Sequence, residues 1–366
     1  MTKPSRPPVR EIAIHERIGE LRAALFDRGR VVEVRLARWS THETRARWGQ
    51  RYAGRVTAID PRLGGAFLDL GVGPPAFLPF GRERSGDVRE GAALIVRVVR
   101  EAEAEKGPAL ALEGPAPRGA AAPALVEDAT PWHGWPGEPH EADAEEIEAI
   151  DAAIEVGLGA EVGLPGGGRL VIERTRALTA IDVDSAGRET GGTDPAKFAR
   201  GLNLAAVPEI VRQIRVRGIG GLVCVDFTGP RRKGDAEAIT KALESAFDAE
   251  RNGGVEAPRT DVLPVSRFGI AEIARQKRRP SLADICLDAG GAPTGETLAI
   301  EGLDRLVAAL KTAKGATIVL EAPAAAHVFL TEDPIGWRDE VRDEVGGMFE
   351  LRMGRPGLAR CAVHAQ

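Results

Sequence analysis

The sequence predicts a mixed α/β chain (α+β overall), with a small β-barrel followed by an α/β domain. Two observations predict it. From Trp48 to about Leu112, short apolar segments alternate with Gly and Pro turn signals, the pattern of a small closed sheet. Beyond Glu141, strand-like and helix-like segments follow one another in turn, the pattern of a layered α/β fold.

The elements follow in order. Residues 1–46 are basic and end in a hairpin, Ala23 to Phe26 and Val31 to Leu36, turned at Asp27-Arg28-Gly29. The barrel block, 47–113, contains the strands Tyr52 to Ile59, Ala66 to Leu70, Pro75 to Leu78 and Ala92 to Val99. Residues 114–140 are rich in Ala, Pro and Gly and read as a linker, although Trp132 and Trp135 are able to dock on a domain surface. The next domain, 141–290, opens with an amphipathic helix to about Val156. Adjacent strands follow at Gly168 to Glu173 and Ala177 to Val183. A helix from about Pro195 to Arg217 carries Phe198, Leu202, Ala206, Ile210 and Ile214 near one face, with Pro208 expected to kink or divide it. Gly221 to Phe227 reads as a buried strand, and Asp235 as a cap for a helix with Ile239, Leu243 and Phe247 inward. A strand around Val262 to Val265 and a helix from Ile270 to about Arg278 complete the domain, and 291–366 forms a small C-terminal α/β region.

Composition narrows the function classes. With 43% hydrophobic and 28% charged residues, the 366-residue chain is globular rather than disordered. Cys224, Cys286 and Cys361 make no CxxC pair and no disulfide framework, which suits a reducing compartment. No signal peptide and no span of roughly 18 apolar residues is visible, so a cytoplasmic protein is expected. The net charge of −5 is unevenly distributed: acids crowd Glu101 to Glu155, while bases gather at Arg231-Arg232-Lys233 and at Arg275, Lys277, Arg278 and Arg279. A polyanionic partner therefore stays open, because binding answers to local potential. Either basic run could equally be a solvated face.

Two predicted strands end in acid, Leu178 to Asp184 with Asp182 and Asp184 on one side, and Leu222 to Asp226. Carboxylates at neighbouring strand ends can converge on a hard cation such as Mg²⁺, which prefers oxygen ligands and keeps several waters. Strand-end aspartates are also common caps and turn formers, and a D-x-D alone is unspecific. No histidine sits in a nucleophile motif, Cys224 is central in an apolar strand, and Gly166-Gly167-Gly168 does not open a helix.

At these residues the sequence resembles a known family. LTAIDVDSAGRETGG, then NLAAVPEIVRQIRVRGIGGLVCVDF and VSRFGIAEIARQKRRPSL, resemble in order and spacing the catalytic core of ribonuclease E/G, over about Leu164 to Leu282. YAGRVTAIDPRLGGAFLDLGVGPPAFLPF is similar to that family's OB-fold RNA-binding domain. LRAALFDRGRVVEVRL is similar to its opening strands, which form part of an RNase H-like element. The resemblance implies an OB-fold barrel, an α/β nuclease domain of DNase I-like type, and Mg²⁺-dependent (or Mn²⁺-dependent) endonucleolytic cleavage of single-stranded RNA, not DNA, leaving 5′-phosphates. Residue by residue, Asp182 and Asp226 match the metal-binding aspartates. Asp184 stands where the family has a supporting asparagine, adding a charge and losing amide donors. Phe67 and Phe77 match base-holding aromatics and Lys106 a nearby basic contact; both phenylalanines could instead be core. Arg267, Phe268 and Arg275 match a motif near the catalytic face, with the arginines read as phosphate contacts or as partners of internal acids. The interval that carries the family's 5′-end sensor is reduced here. The family's CPxC zinc-link is broken, since Cys286 remains but Ala289 takes the second position. No zinc is expected, and a homodimer would need another basis. A second reading is an RNA-binding protein with a degenerate, non-catalytic nuclease domain.

Overall fold

The computed structural model describes residues 10–81, 88–103, 106–187, 194–229, 232–313 and 315–366. Arg231 of the first basic run lies outside them, as do residues 188–193, which take in most of the GRETGG stretch. The chain divides into two compact units. One comprises Met1–Ala13, Ala23–Arg35 and Ala46–Ser281; the other comprises Ile14–Arg22, Leu36–Arg45 and Leu282–Gln366.

The opening strands are β1 (Arg10–Arg17), β2 (Glu20–Asp27) and β3 (Arg30–Arg38). The predicted hairpin is present. Arg28 and Gly29 both take positive φ, 53° and 74°, as a two-residue turn matching strand twist requires. The barrel follows: β4 (Arg51–Asp60), β5 (Gly65–Asp69), β6 (Ala76–Pro79), β7 (Ala93–Arg100) and β8 (Ala109–Pro115). The first half of β4 pairs with β7 and its second half with β5, so the ring β4-β5-β6-β8-β7 closes on itself. Val56, Leu68, Leu78, Leu94, Val96 and Leu110 fill its interior. Closure removes the sheet edges that would otherwise template pairing with another chain.

Residues 114–140 are not a loose linker. β9 (Ala124–Glu127) adds to β4, and β10 (Pro139–Glu141) joins the edge of β1. Trp135 is buried, with the Arg35 guanidinium 4.0 Å from its ring centroid, and His133 meets Trp48 edge-on at 4.9 Å. The Ala-, Pro- and Gly-rich stretch is held in place by these aromatic anchors, which supply the burial that the flanking residues lack.

Helix α1 (Ala144–Leu158) starts at a capping box in which Asp143 accepts from the Glu146 N–H and Glu146 accepts from the Asp143 N–H. Then come β11 (Glu161–Gly163), β12 (Arg169–Arg174), β13 (Leu178–Asp184), α2 (Pro195–Val216), β14 (Gly221–Asp226), α3 (Asp235–Asn252), β15 (Thr260–Val262) and β16 (Ile270–Arg275). The sheet order is β11-β12-β13-β14-β16-β15. Strands β13 and β14 run parallel, with α2 as the crossover. One face of the sheet packs Ile181, Val183, Val223 and Val225 against Leu202, Ile210, Leu243 and Phe247 of α2 and α3. Burying each such side chain contributes about 1.5–3 kcal/mol.

Three local expectations are corrected. Residues 270–275 form strand β16, not a helix, and pair antiparallel with β14; Ala271, Ile273 and Arg275 alternate inward. Helix α2 is not divided at Pro208 but continues through it as one element. Asp235 is the first residue of α3 rather than its cap. Gly234 caps it at φ 88°, while the Asp235 carboxylate accepts the Arg232 N–H at 2.7 Å and the Arg200 guanidinium.

The second unit contains α4 (Leu282–Cys286), α5 (Gly295–Thr312), β17 (Thr317–Ala322), α6 (Ala324–Glu332), α7 (Trp337–Glu344), β18 (Met348–Met353) and β19 (Ala362–Ala365). Its sheet, β18-β17-β19, shares a core with α5, α6 and the fully buried Trp337. Among the described residues no helix is long and apolar enough to cross a membrane.

Candidate active site

The parallel register of β13 and β14 sets Asp182 directly opposite Asp226. Alternation decides where these carboxylates point. Thr179, Ile181 and Val183 face the helices, so Asp182 and Asp184 face the other side of the sheet; likewise Val223 and Val225 face in and Asp226 faces out. Two exposed carboxylates therefore meet at one strand-end position, on the face not covered by α2 and α3.

The Asp182 carboxyl is pushed above the ordinary carboxylate range, first by partial burial and then by repulsion from Asp226 and Asp184. Asp184 behaves oppositely. The Ala186 N–H and the Arg169 guanidinium hold its pKa down. Arg169 Nε and Nη2 both lie 2.9 Å from Asp184 Oδ2, and Ala186 N lies 2.9 Å from Oδ1. The charge that Asp184 adds in place of an asparagine is thus matched by a guanidinium directly across the β12–β13 pairing, Arg169↔Asp184.

Arg169 was not among the expected site residues. Its signal is the register itself: two strands joined by a tight turn at Thr175 to Leu178 place it opposite Asp184. Asn203 was also missed. Fully buried on α2, it donates to the Thr228 carbonyl at 3.0 Å and accepts the Thr228 N–H at 3.2 Å, fixing the chain just after Asp226.

The SRFG turn sits at the same end of the sheet. Asp226 is the register partner of Ile270, and the Phe227 N–H donates to the Gly269 carbonyl at 3.2 Å. Gly269 has φ 90°, and its N–H closes the turn onto the Ser266 carbonyl at 2.9 Å. At the tip, Phe268 is 69% exposed with the Arg267 guanidinium 4.7 Å from its ring centroid.

Arg275 does not join them. It is only 6% exposed, with Nη1 3.0 Å from Glu250 Oε2, Nη2 2.7 Å from Glu250 Oε1, and Nη1 2.8 Å from Thr260 Oγ1. Its partner is an internal acid, and a phosphate contact by Arg275 is set aside. In the barrel, Phe67 and Phe77 are register partners on β5 and β6, half-buried, with centroids 5.4 Å apart. They belong neither to the interior cluster nor to full exposure. Lys106 is exposed, three residues before Ala109, which pairs with Phe77. Cys286 is buried in α4 with Arg38 Nη2 3.7 Å from its sulfur, and burial pushes its thiol pKa up.

A hard cation suits the Asp182–Asp226 pair. Two exposed carboxylates of like charge at one position gain by sharing a cation, and Mg²⁺ is commonly held by one or two carboxylates plus waters and substrate oxygens. Among the described residues there is no cluster of three or more His, Cys, Asp or Glu side chains able to hold a metal, and Asp182 and Asp226 stand as a pair.

The Ribonuclease E/G family profile matches residues 138–278. The chain is 40% identical over 135 residues to Ribonuclease E of Escherichia coli (strain K12), a stretch covering 37% of this chain and 12% of that protein. It is 35% identical over 138 residues to the chloroplastic Ribonuclease E/G-like protein of Arabidopsis thaliana, covering 37% of this chain and 13% of that protein. It is 24% identical over 215 residues to Ribonuclease G of Haemophilus influenzae, covering 57% of this chain and 42% of that protein. The match therefore spans less than half the length of each of these relatives. Residues 138–278, which carry Asp182, Asp226 and the SRFG turn, are thus the part of the chain that matches the ribonuclease E/G family as a domain.

Proposed function

We propose that this chain is a Mg²⁺-dependent endoribonuclease that cleaves single-stranded RNA and leaves 5′-phosphates. The observation that carries the reading is the parallel register placing Asp182 opposite Asp226 at the open end of a ribonuclease E/G family sheet. Asp182 and Asp226 would hold the cation, with Mn²⁺ able to replace Mg²⁺. When bound, such an ion polarises a phosphodiester and makes a hydroxide available near neutral pH. The chain's own residues prepare for that chemistry. Mutual repulsion leaves the two carboxylates under-compensated, which favours cation capture. Arg169 takes up the charge of Asp184 and keeps that side chain out of competition. Asn203 holds the backbone after Asp226 in place, and Arg267 and Phe268 offer a guanidinium and an aromatic face at the same sheet end.

The closed ring β4-β5-β6-β8-β7 is read as an OB-fold whose Phe67–Phe77 pair stacks a base while Lys106 meets the backbone. The catalytic sheet is read as the DNase I-like part of the family. RNA rather than DNA as substrate, action in the cytoplasm, independence from zinc, and a homodimer without a metal link complete the reading; the buried Cys286 supports the third of these. The alternative, an RNA-binding protein without cleavage, draws support from Arg169, whose positive field already acts on Asp182. Incubation of a labelled AU-rich single strand with Mg²⁺ separates the two. Cutting by the wild type and none by Asp226→Asn is expected. Binding without cutting at every Mg²⁺ concentration establishes the alternative.

A further inference from the structure

The second basic run, at residues 275–279, is not a solvated face. It turns inward to line a partly open cleft of about 40 Å³, together with Glu33, Arg35, Trp48 and Arg215. A water needs roughly 10–15 Å³ of such space, so the cleft has room for about three or four waters, the scale of one small tetrahedral oxyanion.

Its charge is unbalanced. Four guanidiniums, those of Arg35, Arg215, Arg275 and Arg279, share two carboxylates. Glu33 takes three of them: Arg35 at 2.9 Å, with Arg215 and Arg279 each at 3.3 Å. Glu250 takes Arg275 at 2.7 Å and Arg215 at 3.4 Å. Lys277 is paired with Glu103 and Arg278 with Glu256, so neither supplies a spare negative charge. Glu101, whose field reaches Arg279, offsets at most one of the two unmatched positive charges.

These groups are not free to find counterions on the surface. Arg35, Arg215 and Arg275 are each more than nine-tenths buried. Arg215 Nε is buried, and its ion-pair contact with Glu250 Oε1 at 3.4 Å does not meet hydrogen-bond geometry. A buried charge left uncompensated costs several kcal/mol, so a cluster of this kind is stabilised by any anion that enters it. Burial first, and then the neighbouring Arg279, pull the Arg35 pKa down to about 9 despite its pairing with Glu33. The indole of Trp48, with the Arg278 and Arg35 guanidinium carbons 5.0 and 5.4 Å from its centroid, walls the cleft and relieves part of that field through its π face.

We propose that this cleft is a binding site for a phosphate-class oxyanion, with Arg215 and Arg279 as its donors. Guanidinium forks suit tetrahedral oxyanions because they donate two parallel hydrogen bonds. The residues are separate from Asp182 and Asp226, so the site does not depend on the nuclease reading. The same chemistry is presented by free phosphate and by the phosphate of a nucleotide.

Isothermal titration of the full chain with inorganic phosphate, at constant ionic strength against chloride, is the test. Saturable binding at one site per chain is expected. A parallel titration with uridine monophosphate separates the sources: heat from phosphate alone assigns the cleft to the free ion, and heat from both assigns it to nucleotide phosphates as well. Arg279→Gln should weaken phosphate affinity about tenfold, the worth of one charge-assisted hydrogen bond. Glu33→Gln, which removes a competing carboxylate, should tighten it. Thermal melting of each variant confirms folding, and Arg279→Lys, which keeps the charge but loses the guanidinium fork, replaces either one that does not fold, with a weakening of phosphate affinity expected. Phosphate that shows no saturable binding, or that binds folded variants as tightly as the wild type, overturns the proposal.

Discussion

Breaking the Arg275–Glu250 pair should cost far more stability than RNA affinity. The two side chains are 5% and 1% exposed, and two parallel contacts at 2.7 and 3.0 Å join them. Removing one partner of a buried pair typically costs about 3–5 kcal/mol, because it strands the other charge away from water. The two truncations should differ. In Arg275→Ala, Glu250 keeps Arg215 at 3.4 Å as a partial counterion, which places the loss near the lower end of that range. In Glu250→Ala, Arg275 and Arg215 both lose a carboxylate, and only Glu33, already shared by Arg35 and Arg279, remains for Arg215. The loss should then lie near the upper end. Urea denaturation followed by tryptophan fluorescence measures both values, and fluorescence anisotropy with a labelled single strand measures affinity. If Arg275→Ala costs less than about 1 kcal/mol while single-strand affinity collapses, the guanidinium faces RNA and the internal assignment is wrong.

Three further outcomes follow from the same geometry. The folded Asp182 carboxyl binds its proton more tightly than an unfolded one, so protonation favours the fold. Stability owed to this group therefore declines as pH rises from the ordinary carboxylate range through the raised pKa. A carbon-13 NMR titration should show that Asp226→Asn brings the Asp182 pKa down, and an unmoved value would discount their mutual repulsion. Glu20 is the opposite case. Burial opposes its ionisation, yet Arg38, Arg17 and Arg22 hold its pKa at about 2. Its contribution, on the order of 3 kcal/mol, is fully present above the ordinary value near 4.5 and is lost as pH falls towards 2. Acid denaturation of Glu20→Gln should lack that component, whereas an unchanged acid limb would count against it. In the barrel, Phe67→Ala should lower single-strand affinity by about 1–3 kcal/mol, as loss of a stacking platform does. Its half-burial predicts a smaller penalty in the melting curve than truncation of the interior Leu68. Equal affinity with a large melting loss would make Phe67 a core residue.

The pair Asp182 and Asp226 stood out because each lies at or near the end of an apolar strand, and two such strands with a helix between them imply a parallel pair. The hairpin at Arg28-Gly29 was legible for a similarly local reason, a turn that demands positive φ. The failures are non-local. Residues 270–275 offer Ile270, Ala271, Ile273 and Ala274 at helix-like spacings, and the inward position of Arg275 hides the strand alternation. That arginine can point inward only because Glu250 waits 25 residues earlier in the chain. Residues 114–140 looked like a linker because Trp135 finds its partner, Arg35, a hundred residues away. Arg169 escaped notice for the same reason: its importance lies in the residue opposite it, not beside it.

Manganese binding, read by electron paramagnetic resonance of the free ion, addresses the Asp182–Asp226 site most directly, since Mn²⁺ prefers the same oxygen ligands as Mg²⁺. One saturable site is expected in the wild type and in Asp184→Asn, with binding abolished in Asp182→Asn and in Asp226→Asn. Equal Mn²⁺ affinity in the wild type and in Asp226→Asn would show that the paired strand ends do not hold the metal.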